Sequence, residues 1–266
     1  MLEDETMIIA SSTLVNGISA SIVDFLGFLM GVLFLIKYFR EKKGLMPYVS
    51  FIGFTFMGLY LGPTVTFWSL VFTNANVSFV TYDQLSYVVC PIGFASMLYL
   101  GFSIFNPDKK NLAGIIYLAT AVPYYIFLFG FPDAMVVINQ SCITSGLSAT
   151  QCVDTLNANG QMIDISLQSG QFILNLLYII SVLIFLGGGF YYLRLKIAGI
   201  DRQRATYLAW GFSCFAIAAI IENALGSYGD VYKIIARVIM ATFLLLVYKG
   251  FSAKKAPDIQ APKATG

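Results

Sequence analysis

A chain of 266 residues that is 58% hydrophobic and only 11% charged, with a mean hydropathy of +0.77, lacks the polar surface that a water-soluble domain needs around its core. The net charge of +2 selects no partner, because in a membrane protein the placement of charge matters more than its sum. The absence of histidine excludes histidine-ligated haem, most zinc and copper sites and every imidazole dyad or triad, and no nucleic-acid partner is expected.

The N-terminus, Met1 to Thr6, is acidic and lacks the basic region of a cleavable signal peptide, so the first apolar run is expected to be kept as a helix. Apolar runs then follow near residues 11–38, 47–73, 82–105, 111–131, 168–193, 205–225 and 230–249. Each is long enough to cross a hydrocarbon core of about 30 Å as a helix. Turn chemistry separates them, at Glu41-Lys42-Lys43-Gly44, Asn74-Ala75-Asn76, Asn106-Pro107-Asp108, Gly199-Ile200-Asp201 and Gly226 to Gly229. The expected fold is all-α, a seven-transmembrane helix bundle over residues 1–249 with a short basic cytoplasmic tail over 250–266. Lipid is its solvent, and the expected location is the cell membrane as a multi-pass protein.

Orientation follows from the basic residues. With the N-terminus outside, fourteen of the sixteen Lys and Arg fall at inner ends, from Lys37 and Arg40 through Arg194 and Arg204 to Lys263, and the other two, Lys233 and Arg237, lie within the seventh run. The outer side carries Glu3, Asp4, Glu5, Asp83, Asp133, Asp154, Asp164 and Asp230 instead. The longest connection, residues 132–167, is then outside, where Cys142 and Cys152 are expected to form a disulfide. Asn76-Val77-Ser78 and Asn139-Gln140-Ser141 are glycosylation sequons in outer loops, each as compatible with chance as with use.

Small residues recur at helix-packing spacing, Gly27 with Gly31 and Gly58 with Gly62, and Gly187-Gly188-Gly189 sits low in the fifth run; close packing is the expected meaning. Pro63, Pro91 and Pro123 fall at similar depth in the outer half, where opened helical ladders would widen the bundle into a cup. Ionisable groups inside a span cost several kcal/mol unless paired or wetted, so their depths are informative. At 1.5 Å per residue, Asp24 lies about 20 Å above Lys37 and Arg237 about 18 Å above Lys249. By the same count Glu222 is about 27 Å above Arg204 and Lys233 about 24 Å above Lys249. If the spans follow one another around a ring, the seventh lies between the first and sixth, and the expected pairs are Asp24 with Arg237 and Glu222 with Lys233. Asn175 and Gln171, four apart on the outer half of the fifth run, complete the candidate ligand-binding set.

The span count and orientation resemble those of retinal-binding microbial rhodopsins, whose Schiff-base lysine sits mid-span in the last helix within D-x-x-x-K. Here the nearest match, Asp230-Val231-Tyr232-Lys233, is one residue short and near the outer surface, with Arg237 in the next turn, so covalent retinal is not expected and no cofactor is assigned. The topology and the basic fifth-to-sixth loop, Arg194 to Arg204, also resemble the seven-helix sensor regions at the N-termini of some prokaryotic histidine kinases. That resemblance implies a sensor, and because no kinase follows Lys249, its signal would pass to a separate cytoplasmic or membrane protein partner. The leading expectation is a receptor or sensor with an outward polar pocket, taking a small anionic ligand provided the carboxylates do not neutralise Arg237 and Lys233. A structural or assembly subunit and a small-solute transporter are the alternatives; an enzyme is not expected, since no nucleophile–base spacing stands out, nor is a metal site.

Overall fold

A computed structural model of the chain describes residues 9–42, 44–131, 149–163, 169–225 and 229–252, with the backbone alone at 149, 169–172, 223 and 224. Among these residues the structure is helical, with no strand. Seven helices are long and apolar enough to cross a membrane: Ser11–Glu41, Met46–Thr73, Phe79–Phe105, Pro107–Gly130, Ile173–Lys196, Gly199–Glu222 and Asp230–Ser252. The chain is a multi-pass membrane protein, and its helices are called here the first to seventh spans. Outward-facing Ile22, Phe25, Leu112, Val122, Leu195 and Val238 are exposed along them, the belt that lipid contacts require when no polar face is turned outward.

The spans pack in chain order around a closed ring: each touches the next, and the seventh returns to the first. The first two meet through the predicted small residues. A Cβ on Gly27 would lie 2.6 Å from the Met57 backbone nitrogen and 2.9 Å from the Gly53 carbonyl, and the Ser50 hydroxyl donates to the Gly31 carbonyl at 2.7 Å. Without a hydrophobic driving force between helices in lipid, such close backbone approach and buried hydrogen bonds hold the seam. Gly58 and Gly62 admit Val89 and Ser86 of the third span, and Gly189 admits Phe105.

Proline and π-turns loosen the third, fourth and fifth spans. The third stops at Tyr87 and restarts at Cys90 just before Pro91, and the fourth breaks at Thr120, three residues before Pro123, then widens to a π-turn over Ile126–Gly130. A second π-turn, Val182–Gly188, interrupts the fifth. The second span stays helical through Pro63.

One end of the bundle, called the upper end, holds the start of the first span, the turn at Asn74–Ser78 and a short helix, Ala149–Ala158, within the connection that the sequence presents as a loop. That helix and residues 161–163 lie across the first three spans. Gly160 accepts from the Ala10 amide at 3.0 Å, the Met162 amide donates to Thr13 at 3.1 Å, and Cys152, Leu156 and Ile163 bury against Phe79 and Tyr82. In the lower half, Phe56, Phe94, Phe212, Phe215 and Phe243 form a continuous aromatic core with ring centroids 4.6 to 5.9 Å apart.

Candidate functional site

The seventh span brings Arg237 into the middle of the ring, where it is 3% exposed. Its Nε donates to Glu222 Oε1 at 3.3 Å, and its Nη1 donates to the Asn16 carbonyl at 2.5 Å and the Ser19 hydroxyl at 2.8 Å. The Tyr60 hydroxyl donates to the other Glu222 oxygen at 2.6 Å, and the Tyr60 ring lies 5.9 Å from the guanidinium. Four spans therefore converge on one buried ion pair: the first through Asn16 and Ser19, the second through Tyr60, the sixth through Glu222 and the seventh through Arg237. Further up, Asn16 Nδ2 donates to Asp230 at 3.1 Å, and Lys233 approaches Asp230 to 3.9 Å.

Both predicted pairs are corrected by this geometry. Among the described residues, Arg237 pairs with Glu222 rather than Asp24, and Lys233 approaches Asp230 rather than Glu222. Counting residues gave the heights of Cα atoms. Side chains on a helix lean toward its N-terminus, which for the seventh span is the upper end, so each long basic side chain delivers its charge about one turn, or 5.4 Å, above its own backbone. Azimuth matters as well. Ser19 and Phe34 turn toward the seventh span, whereas Asp24, on the opposite flank of the first helix, follows Gly17 and Gly31 toward the second. The Asp24 carboxylate is half-buried, and its Oδ1 has no hydrogen-bond partner among the described residues.

Beside the ion pair the upper half contains a cavity of about 100 Å³. Tyr60 and Pro63 of the second span, Tyr82, Tyr87 and Phe94 of the third, Asn175 of the fifth, Phe215 and Ala219 of the sixth, and Arg237 of the seventh contribute to its wall, with Glu222 between them. Of the three prolines expected to open a cup, Pro63 lines the cavity from an unbroken helix, and Pro91 and Pro123 are not among the lining residues. Asn175 Oδ1 is buried on this wall and the fully buried Tyr124 hydroxyl lies beside the Asn175 amide and the Cys90 thiol, with neither oxygen in a well-aligned hydrogen bond among the described residues. Buried polar groups are nearly always paired, and a small rotation lets these two neighbours bond each other.

Tyr60, Ser19 and Tyr82 were not singled out from the sequence. In a chain with 16 tyrosines, one more phenol carries little signal, although Tyr60 stands three residues before Pro63 at cup depth. Of the remaining predicted residues, the Gln171 side chain, Cys142 and Asn139 lie outside the described residues. Asn76 clamps the upper loop: its Nδ2 donates to Asn157 at 2.7 Å and to the Gln161 carbonyl at 2.8 Å, and its Oδ1 accepts from the Ile163 amide at 3.0 Å. A glycan on that nitrogen would displace this clamp. Cys90 and Cys214 are free thiols. No group of three or more metal-binding side chains occurs among the described residues.

Removing only the Tyr60 hydroxyl keeps the ring and strips Glu222 Oε2 of its donor. Tyr60→Phe is expected to lower unfolding stability by about 1–3 kcal/mol, read from reversible unfolding in detergent micelles. An unchanged midpoint would show that water replaces the phenol at no cost.

No protein-family model matches the chain, and neither does any curated protein.

Proposed function

We propose that this protein is a receptor-like membrane sensor whose ligand occupies the upper cavity and whose signal leaves through a separate partner at the lower end. The observation that carries this reading is a cavity lined by five spans, with one charged pair and one buried amide on a largely aromatic wall. A bundle held together only for structure gains nothing from leaving such a void, since packed interiors lose contact energy at every gap. The aromatic layer beneath, Phe56 with Phe215 and Phe243, favours sensing over transport, because a carrier needs a polar route through both halves. A ligand here touches the fifth and sixth spans together, and below it the π-turn at Val182–Gly188 gives the fifth a segment with two available helical registers. Those two spans join at the lower end through the basic segment Arg194 to Arg204, the expected contact for a partner.

The positive-inside count supports placing the upper end, with the N-terminus, outside the cell membrane. Capture of an anion by Arg237 and Lys233 was conditional on free cations. With Glu222 against Arg237 and Asp230 near Lys233, that condition is not met.

Ala219, 7% exposed and on the cavity wall, allows a direct test. Thermal-shift screening of purified protein against amines, carboxylates, amino acids and lipids should find a compound that stabilises wild type and not Ala219→Phe. Spin labels at the lower ends of the fifth and sixth spans should change separation when that compound is added. A screen in which every hit stabilises both proteins equally would remove the cavity as the sensing site.

We also propose the Cys142–Cys152 disulfide, supported by the complete burial of Cys152 on the inner face of the upper helix. Wild type should migrate faster without reductant than with it, and Cys142→Ser should show no difference; identical mobilities in wild type would exclude the bridge.

A further inference from the structure

Resting on the sensor reading above, the geometry points to a ligand class, and we infer that the cavity takes a protonated amine carried on a small aromatic or apolar body. Besides hydroxyls of Tyr82, Ser86 and Tyr87, which can give or take a hydrogen bond, the cavity wall presents the Glu222 carboxylate, which only accepts. At the Glu222–Arg237 pair the guanidinium is 3% exposed and the carboxylate 19%. Nη1 of Arg237 is drawn away from the cavity to the Asn16 carbonyl and Ser19, whereas Glu222 lines the opening with lone pairs beyond the two that Tyr60 and Arg237 occupy. Asn175 Oδ1, also on the wall, is a further acceptor, with the Tyr124 hydroxyl beside it. A molecule that completes this site supplies donors.

The rest of the wall suits a cation on an apolar carrier. Tyr60, Tyr82, Tyr87, Phe94 and Phe215 surround the space, and aromatic faces attract ammonium groups through their quadrupoles most strongly where water is excluded. Long-range charge acts the same way. Among the described residues, the upper half of the fold holds five acidic residues, Asp24, Asp83, Asp154, Glu222 and Asp230, against two basic ones, Lys233 and Arg237. Such an imbalance concentrates cations at the mouth and repels anions. A carboxylate ligand would meet a neutralised arginine and an excess of negative charge, and a neutral ligand would forgo both attractions.

Three probes sharing one skeleton separate these cases without any mutation: 2-phenylethylamine, 3-phenylpropionate and 2-phenylethanol, titrated into purified full-length protein in nanodiscs and followed by thermal shift and calorimetry. The amine is expected to bind wild type at least tenfold more tightly than either isostere, to lose that preference in Glu222→Gln, and to bind no better than the others in Ala219→Phe. Because Glu222→Gln disturbs the ion pair and can impair folding, the wild-type ranking is the deciding readout. Tighter binding of the carboxylate or the alcohol, abolished by Ala219→Phe, would overturn the amine assignment while leaving the cavity as the sensing site. No binding by any probe, or equal binding to wild type and Ala219→Phe, would overturn both.

Discussion

Arg237→Ala is expected to lower the unfolding free energy by about 3–5 kcal/mol, because deleting one member of a buried ion pair leaves the other charge unmatched. Glu222 would keep the Tyr60 phenol at 2.6 Å but lose the guanidinium it is paired with, and the Asn16 carbonyl and Ser19 hydroxyl would lose a shared donor. The loss therefore reaches the first, second and sixth spans at once. Replacing both charges tells the pair's net worth apart from the penalty of breaking it. Arg237→Met with Glu222→Gln is expected to recover most of the loss, since apolar or neutral groups of similar shape often match a buried pair in stability. Chemical denaturation in a bilayer-mimetic detergent measures both. A double variant as unstable as the single one would mean that the side chains matter for packing rather than for charge.

Gly27→Leu is the second large effect. The added Cβ would face backbone, the Met57 nitrogen at 2.6 Å and the Gly53 carbonyl at 2.9 Å, so no side-chain rotation relieves the clash and the first two helices must separate. Overpacking a core costs typically about 1–3 kcal/mol, and a clash against backbone belongs at the top of that range or beyond. Separation would also weaken the Ser50 bond to Gly31 one turn away. Gly44→Leu provides the control, because a Cβ at Gly44 meets nothing within 4 Å; it should stay within about 0.5 kcal/mol of wild type. Fluorescence-detected size exclusion gives the comparison: loss of the monodisperse peak for Gly27→Leu alone is the expected result. Equal profiles for the two variants would refute the tight seam.

Much of the architecture is legible in the residues themselves. The seven spans read from apolar run length fall within a few residues of the helices, because in lipid every backbone group must be bonded within its own helix and hydropathy alone sets the length. Gly27, Gly31, Gly58 and Gly62 read correctly as packing positions, since only a missing side chain explains that spacing on a helix face. The helix Ala149–Ala158 was not recognised: it is short, only its Cys152, Val153 and Leu156 repeat at helical spacing, and its partners Phe79 and Tyr82 are distant in sequence. The site was legible in its ingredients and not in its pairing. Asp24, Glu222, Lys233 and Arg237 announce themselves as charges in spans, but which carboxylate meets which cation depends on side-chain lean and helix azimuth, and residue counting contains neither.

Two double-mutant cycles on one denaturation assay test the account most directly, one joining Arg237 to Glu222 and the other joining Arg237 to Asp24, each residue replaced by a neutral isostere. The structure predicts coupling of about 1.5 kcal/mol or more for Glu222 and none beyond about 0.5 kcal/mol for Asp24. Strong coupling to Asp24 with little to Glu222 would contradict the arrangement of the site and remove the carboxylate on which the proposed ligand recognition rests.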